Sequence, residues 1–381
     1  MAEITDVKPN VMRINMAQRH KKTEFIAVDL FAGGGGLSVG LKRAGFKIVA
    51  AVELEPNAFS TYKANHPEVS AFKQDIRTIK GKSILNLSDG HVDLLSGCPP
   101  CQGFSTLTTK YRRKDSRNEL INEIGRLVEE IRPLSVMMEN VPGLAKKGKP
   151  LFDDFLNLLL KLGYIVNHRV VQIADYGVPQ NRKRIVLLAG KGFPIDIPSS
   201  THARNPSKNL KPWRTVRTVL SGMPKPITLK ESNKKGGPQS FNWHIVRNLS
   251  PISKERLRVT NPGQSRSVLP KHLRPKCHQN IDKGFVNVYG RMSWDQISPT
   301  ITGGCTTLSK GRFGHPEENR TISVREAALL QTFPADYIID TAFIDHACNI
   351  VGNALPCDFA EIFSRQCAKT IQAVKEKRTD N

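Results

Sequence analysis

From Phe25 to Gly190 short apolar runs alternate with longer amphipathic stretches. The runs at residues 25–30, 48–52, 92–95, 134–138, 164–172 and 184–189 have strand length and are bounded by glycine or polar turns, so each predicts a β-strand. Helices are predicted between them. One opens on the capping box Ser116-Arg117-Asn118-Glu119 and runs to Ile131, where Pro133 stops it. Another covers residues 152–162, with leucines at helical spacing and Gly163 at its end. This alternation is the signature of an α/β fold built on a doubly wound sheet.

Past Gly190 the periodicity fades. Pro, Ser, Asn, Lys and Gly dominate, and the three tryptophans appear at positions 213, 243 and 294. The pattern predicts a second, smaller, irregular domain with Trp213 and Trp243 in its core. Regular structure returns with predicted helices at residues 323–332 and 356–369, the latter amphipathic and able to pack back on the first domain.

Charge changes the picture most. The chain of 381 residues carries a net +23, and residues 191–290 hold 19 Lys and Arg against 4 Asp and Glu. Basicity this concentrated implies a polyanionic partner, most simply nucleic acid, bound less tightly as salt rises. Residues 1–23 are polar and basic without a secretory core, and no apolar run approaches the ~20 residues of a membrane span, so a soluble, cytoplasmic protein is expected. Seven cysteines, an odd number, argue for reduced thiols.

Candidate chemistry gathers at predicted strand ends, where open α/β sheets keep their sites. Gly97-Cys98-Pro99-Pro100-Cys101-Gln102-Gly103-Phe104-Ser105 presents the Cys101 thiol in a turn that two prolines stiffen. The next strand ends in Glu139-Asn140-Val141, adding a carboxylate, and Gln180-Asn181-Arg182-Lys183-Arg184 puts two arginines on one face if extended. A cysteine of ordinary pKa needs nearby cations to be nucleophilic at neutral pH, and Arg182 or Arg184 could supply them. A redox C-x-x-C pair or half a zinc site are the alternatives for Cys98 and Cys101. Cys277-His278 and Cys305 lack the spacing to complete the zinc site.

Four glycines, Gly33 to Gly36, follow Asp29-Leu30-Phe31-Ala32, and Glu53 comes twenty residues after Gly33, where an acidic residue commonly holds ribose hydroxyls. The run does not fit G-x-G-x-x-G. Asp29 would repel a pyrophosphate and attract the ammonium and sulfonium of S-adenosyl-L-methionine (SAM). Asp75 is a candidate acceptor for an adenine amino group.

Taken together, these blocks resemble the DNA (cytosine-5)-methyltransferases of the bacterial restriction–modification type. The resemblance rests on D-L-F-A-G at residues 29–33, P-P-C-Q-G-F-S at 99–105, E-N-V at 139–141, Q-x-R-x-R at 180–184, R-T-I-S-V-R-E at 320–326 continuing to Q-T-F-P at 331–334, and G-N-A-L-P at 352–356. It implies a Rossmann-like SAM-dependent methyltransferase sheet in a discontinuous catalytic domain, residues 1–190 and 340–381, with a DNA-recognition domain at residues 191–339. By resemblance, Cys101 adds to C6 of a flipped cytosine and Glu139 assists at N3, while Arg182 and Arg184 orient the nucleophile, the base and its phosphate. SAM would lie against Asp29, Phe31, Gly33, Gly35, Glu53, Asp75, Ile76, Pro100 and Asn353. Ser105, Lys110, Arg112, Arg113, Thr300 and Thr302 would meet double-stranded DNA, with the loop at 106–116 closing over it. Leu54 departs from the family where some members carry tryptophan, which bears on adenine packing. A monomer is expected, localised with the nucleoid, alongside a cognate restriction endonuclease in no stable complex. An RNA cytosine-5 methyltransferase, a nicotinamide oxidoreductase and a non-catalytic DNA-binding regulator are the competing readings. The large basic insert favours duplex DNA.

Overall fold

The apolar runs assemble into one sheet in the computed structural model, which describes residues 24–100, 119–279 and 286–379. Its strands are β1 (Phe25–Leu30), β2 (Phe46–Val52), β3 (Ser70–Phe72), β4 (Leu94–Gly97), β5 (Ser135–Asn140), β6 (Tyr164–Gln172) and β7 (Lys183–Lys191), in the order β3-β2-β1-β4-β5-β7-β6. All neighbours pair parallel except β7, which runs against both β5 and β6. The six expected strands are all present, β1 and β6 with the expected limits and β4 shifted two residues towards the chemistry at its end. The seventh, β3, has three residues and none fully buried, so no hydrophobic run marks it.

Helices α1 (Gly36–Arg43), α2 (Pro56–Asn65), α3 (Gly81–Leu85), α4 (Leu120–Ile131) and α5 (Lys149–Lys161) connect the strands. The expected α4 start at Ser116 lies outside the described residues. Side chains alternate across each strand and so divide the core in two. Leu30, Leu95, Val136, Met138 and Leu187 pack with Ile121 and Ile124 of α4 and Phe155 of α5 on one face. Ala27, Leu94, Met137, Val186 and Leu188 face the other way, onto Leu37 and Leu41 of α1 and onto Phe359 and Phe363 of a late helix, Cys357–Thr379. Both faces are covered, as a mostly parallel sheet requires.

The remaining chain forms α6 (Val216–Leu220), α7 (Leu229–Asn233), α8 (Pro251–Arg258), α9 (Val324–Leu330), α10 (Ile344–Asn353) and that late helix, α11. α9 begins with a complete capping box, Ser323 with Glu326. α11 continues ten residues past the expected Lys369 because its far end is fastened: Lys375 Nζ lies 2.7 Å from buried Asp93 Oδ1 and over the Phe25 ring.

A third core cluster joins Trp243, Val216, Met292 and Phe313 to residues of α9 and α10, and it reaches Val39 and Ala58 in the sheet-bearing part. Fully buried Trp243 donates its indole N–H to the Ile339 carbonyl, as expected of a core residue. Trp213 differs from expectation. It is half-buried and donates to Asp175 Oδ1 at 2.9 Å, tying the irregular segment to the sheet domain's edge instead of filling a core. Some of the excess arginine is structural too: buried Arg291 donates Nε to the Leu257 and Thr260 carbonyls and Nη1 to those of His315 and Glu318, satisfying backbone that no regular structure pairs.

The α1–α11 contact sets a clear test. A Cβ on Gly40 would lie 2.4 Å from Ala360 Cβ and 2.5 Å from the Glu361 backbone nitrogen. Helix propensity favours Gly40→Ala by up to ~1 kcal/mol, but overpacking against backbone costs about 1–3 kcal/mol. Net destabilisation is expected in urea unfolding; a stabilised variant would show that the two helices are not in contact.

Candidate active site

Strand order reverses between β1 and β4, and the ends of β1, β4 and β5 with the start of β7 converge there. Asp29, near the end of β1, is fully buried. Its Oδ2 accepts from Ser38 Oγ at 2.7 Å, whereas Oδ1 has no hydrogen-bond partner among the described residues. Burial, outweighing the Ser38 bond and reinforced by the charge of Glu53, pushes its pKa up to about 7.

The chain then turns through left-handed conformations at Phe31, Gly33 and Gly35, with φ of 58°, 55° and 92°. A Cβ on Gly33 would meet nothing within 4 Å, so the turn is open on that side. Glu53 holds it from the end of β2, accepting from Gly33 N at 2.8 Å and from Glu55 N at 2.7 Å; burial raises its pKa. Asp75 caps the short turn at Ile76–Thr78 and pairs with Arg77, and Ile76 is buried behind it. Phe31 is half-buried, Leu54 is exposed at 58 %, and Asn353 is exposed at the end of α10.

Cys101 lies outside the described residues, as do Ser105, Lys110, Arg112 and Arg113. What leads into Cys101 is fixed. Asn140 Nδ2 donates to the Pro99 carbonyl at 3.0 Å while Asn140 Oδ1 receives Val141 N–H, so the end of β5 clamps the proline turn. Half-buried Pro100 closes the described stretch. Cys98 is held as a thiol, because burial and then the charges of Glu139 and Asp29 raise its pKa well above the ordinary value.

Glu139, 8 % exposed, faces Arg184, whose Nε stands 2.5 Å from Oε1. The N–H does not line up on that oxygen, which therefore lacks a hydrogen bond among the described residues. Arg182 is buried deeper. Its Nη1 donates to the Ile301 and Gly352 carbonyls, its Nε is unpartnered among the described residues, and burial together with Arg184 lowers its pKa to about 9. The i, i+2 spacing thus delivers both arginines to the Glu139 end of the sheet. Thr300 Oγ1 donates to the Asn181 carbonyl at 2.6 Å, placing the 300–302 segment beside the arginines, and Thr302 Oγ1 accepts from Gly304 N.

Sequence reasoning missed the pair beneath. Gln180 Nε2 donates to Gln331 Oε1 at 2.7 Å, Ile301 N donates to Gln180 Oε1, and Gln331 Nε2 donates to the Val351 carbonyl, all fully buried. Both glutamines sit in the quoted blocks, but nothing in either block names the other as partner.

A family model for C-5 cytosine-specific DNA methylase matches residues 25–369. The chain belongs to this family. It is 34 % identical over 358 residues to the Type II methylase M.HgiDII of Herpetosiphon aurantiacus, covering 92 % of this chain and 97 % of that one. It is also 34 % identical over 350 residues to the Type II methyltransferase M1.HphI of Haemophilus parahaemolyticus, covering 90 % and 86 %. Among solved structures, one from an E. coli prophage described as a DNA modification methyltransferase superposes with a TM-score of 0.71 at 26 % identity, covering 92 % of this chain and all of that one. The DNMT2 structure of Spodoptera frugiperda, at 18 % identity and TM-score 0.61, shares the fold. Recognition of the sequence as a restriction–modification type cytosine-5 methyltransferase, with a Rossmann-like sheet and SAM as cofactor, is upheld.

The methylase's own residues fit that cofactor. A buried carboxylate with one unsatisfied oxygen, beside a turn open at Gly33, suits a cationic ligand, and Glu53 retains lone pairs for hydroxyls.

Asp29 generates a pH prediction for the cofactor-free protein. A carboxyl whose pKa rises from 3.8 unfolded to about 7 folded binds its proton more tightly in the native state, so its contribution to stability falls as pH climbs through that window. Asp29→Asn escapes this loss. Its advantage over wild type in denaturation midpoints should grow from pH 4 to above pH 7; a pH-independent difference would refute the assignment.

Proposed function

We propose that this methylase transfers a methyl group to C5 of a cytosine flipped out of a short, specific duplex DNA sequence, through a transient bond between Cys101 and C6. The observation that carries the reading is the clamp at the ends of β4 and β5: Asn140 fixes the Pro99 carbonyl in the turn entering Cys101, while its neighbour Glu139 stands against Arg184. A proline turn leading towards Cys101 and a carboxylate next to its clamp support that reading.

The chemistry follows. Cys101 sulfur forms a bond to C6 as Glu139 hydrogen bonds and gives a proton at N3, which makes C5 nucleophilic. SAM, when bound, would supply the methyl group to C5, its sulfur–methyl bond breaking to leave S-adenosylhomocysteine. The C5 proton then passes to a base, water in this family, the N3 proton returns to Glu139, and the C6–sulfur bond breaks to regenerate the thiolate and the aromatic ring. Arg184 orients Glu139 and the base. Arg182, anchored on two carbonyls, steadies the site and offers its cation to the nucleophile's side. C6 is stacked inside a duplex, so the base must be extruded at a cost of a few kcal/mol.

Duplex DNA is the substrate we infer, from the family, the Type II relatives and the basic segment at 191–290. Residues 191–339 are read as the recognition part and 1–190 with 340–381 as the catalytic part, with Thr300 and Thr302 at the DNA margin, Ser105 meeting DNA just before the closing loop, and Lys110, Arg112 and Arg113 on that loop. Protection of host DNA beside a cognate endonuclease, in the cytoplasm and as a monomer, completes the reading. Among the described residues no helix is long and apolar enough to cross a membrane.

Bisulfite sequencing of DNA from cells expressing wild type should show 5-methylcytosine in one short context, absent with Cys101→Ser. Methylated adenine or N4-methylcytosine would contradict the assignment, and methylation of tRNA without DNA would favour an RNA enzyme. Duplex carrying 5-fluorocytosine should crosslink wild type in the presence of SAM. Glu139→Gln should lower kcat by about 100-fold or more while calorimetric SAM binding holds; unimpaired turnover would remove Glu139 from the mechanism.

A further inference from the structure

Beneath the glycine turn, on the side away from Gly33's open face, lies a second polar chain that the reaction does not use. Tyr337 Oη donates to the Gly34 carbonyl at 2.5 Å. His66 Nε2 lies 3.1 Å from the same Oη, and Lys42 Nζ lies 2.6 Å from His66 Nδ1. Lys42 in turn pairs with Glu68 at the surface. A phenol has one hydrogen, and here it goes to Gly34, so His66 must donate from Nε2 and accept at Nδ1 from the lysine ammonium. Every hydrogen in the chain then points the same way, from Lys42 to the turn. Burial, followed by the Lys42 charge, lowers the His66 pKa to about 4, which keeps the ring neutral and the tautomer fixed at working pH.

The packing is as tight as the hydrogen bonding. His66 and Tyr337 are 2 % and 5 % exposed, and a Cβ on Gly35 would fall 2.4 Å from Tyr337 Oη and 2.6 Å from His66 Nε2. The turn is therefore gripped twice, by Glu53 on the Gly33 amide and by Tyr337 on the Gly34 carbonyl. A turn already held in its bound shape loses less freedom when a ligand settles on it.

We propose that Tyr337, His66 and Lys42 are a positioning relay for the cofactor turn, setting its affinity for SAM without touching it. This rests on the reading of the glycine turn as the cofactor site. None of the three residues lies on the catalytic strand ends, and Tyr337 comes from a segment 271 positions beyond His66.

The test is calorimetric titration of the full chain with S-adenosylhomocysteine, alongside thermal melts and steady-state kinetics. Tyr337→Phe and His66→Leu should each raise Kd about tenfold, the equivalent of one buried hydrogen bond. Their kinetic loss should fall on KM for SAM and not on kcat. His66→Gln, whose amide can still donate to Tyr337, should stay within about twofold of wild type, and the surface change Lys42→Met should weaken binding about two- to threefold. Folded Tyr337→Phe or His66→Leu protein with wild-type Kd would overturn the relay, as would an equal fall in kcat and DNA affinity with Kd unmoved. If Tyr337→Phe does not fold, unchanged Kd in both His66→Leu and Lys42→Met decides against it. Wild type that binds neither SAM nor its product would instead sink the cofactor reading, whatever the variants do.

Discussion

Two buried glutamine amides hold the site together. Gln180 and Gln331 exchange a hydrogen bond and spend their other groups on the backbone of Ile301 and Val351, so four distant stretches of chain share one small network. The Arg182 guanidinium repeats the join one layer nearer the chemistry, bridging the Ile301 and Gly352 carbonyls. A buried amide left unsatisfied costs about 1–3 kcal/mol, so a shift in any one stretch penalises the others. The arginines, the 300–302 segment and the end of α10 are thus positioned as a unit.

The strand ends show how a stable scaffold carries uncomfortable chemistry. Asp29 Oδ1, Glu139 Oε1 and Arg182 Nε are all buried without hydrogen-bond partners among the described residues. Polar groups in that condition weaken a fold. Three such groups meeting where the strand order reverses fit a site that completes itself with ligands. Cys98, by contrast, sits in the same place with its proton held fast.

Much of this was legible in the chain. β1 and β6 could be bounded to the residue because each apolar run is long and ends abruptly, and the carboxylate at the end of β5 and Arg184, both singled out in the sequence, stand against each other. What escaped was of one kind. A three-residue strand such as β3 has no run to detect, and Trp213 reads as core until its bond to Asp175 is seen. Lys375 with Asp93, Gln180 with Gln331 and His66 with Tyr337 pair across 151 to 282 positions. A polar residue's partner at such separation leaves no local trace, since a buried glutamine and an exposed one are written with the same letter. Cys101, expected from sequence to be the nucleophile, and the loop after it lie outside the described residues.

The sheet's second face is closed by Phe359, Phe363 and Ile371 of α11, against strands completed at Lys191 or earlier. While the chain is being synthesised, that face has α1 but not its other cover, and the Gly352 carbonyl that anchors Arg182 does not yet exist. The nascent protein must keep a broad apolar surface out of trouble until α11 emerges. A chain cut short of α11 is left with a sheet whose second face is only partly covered.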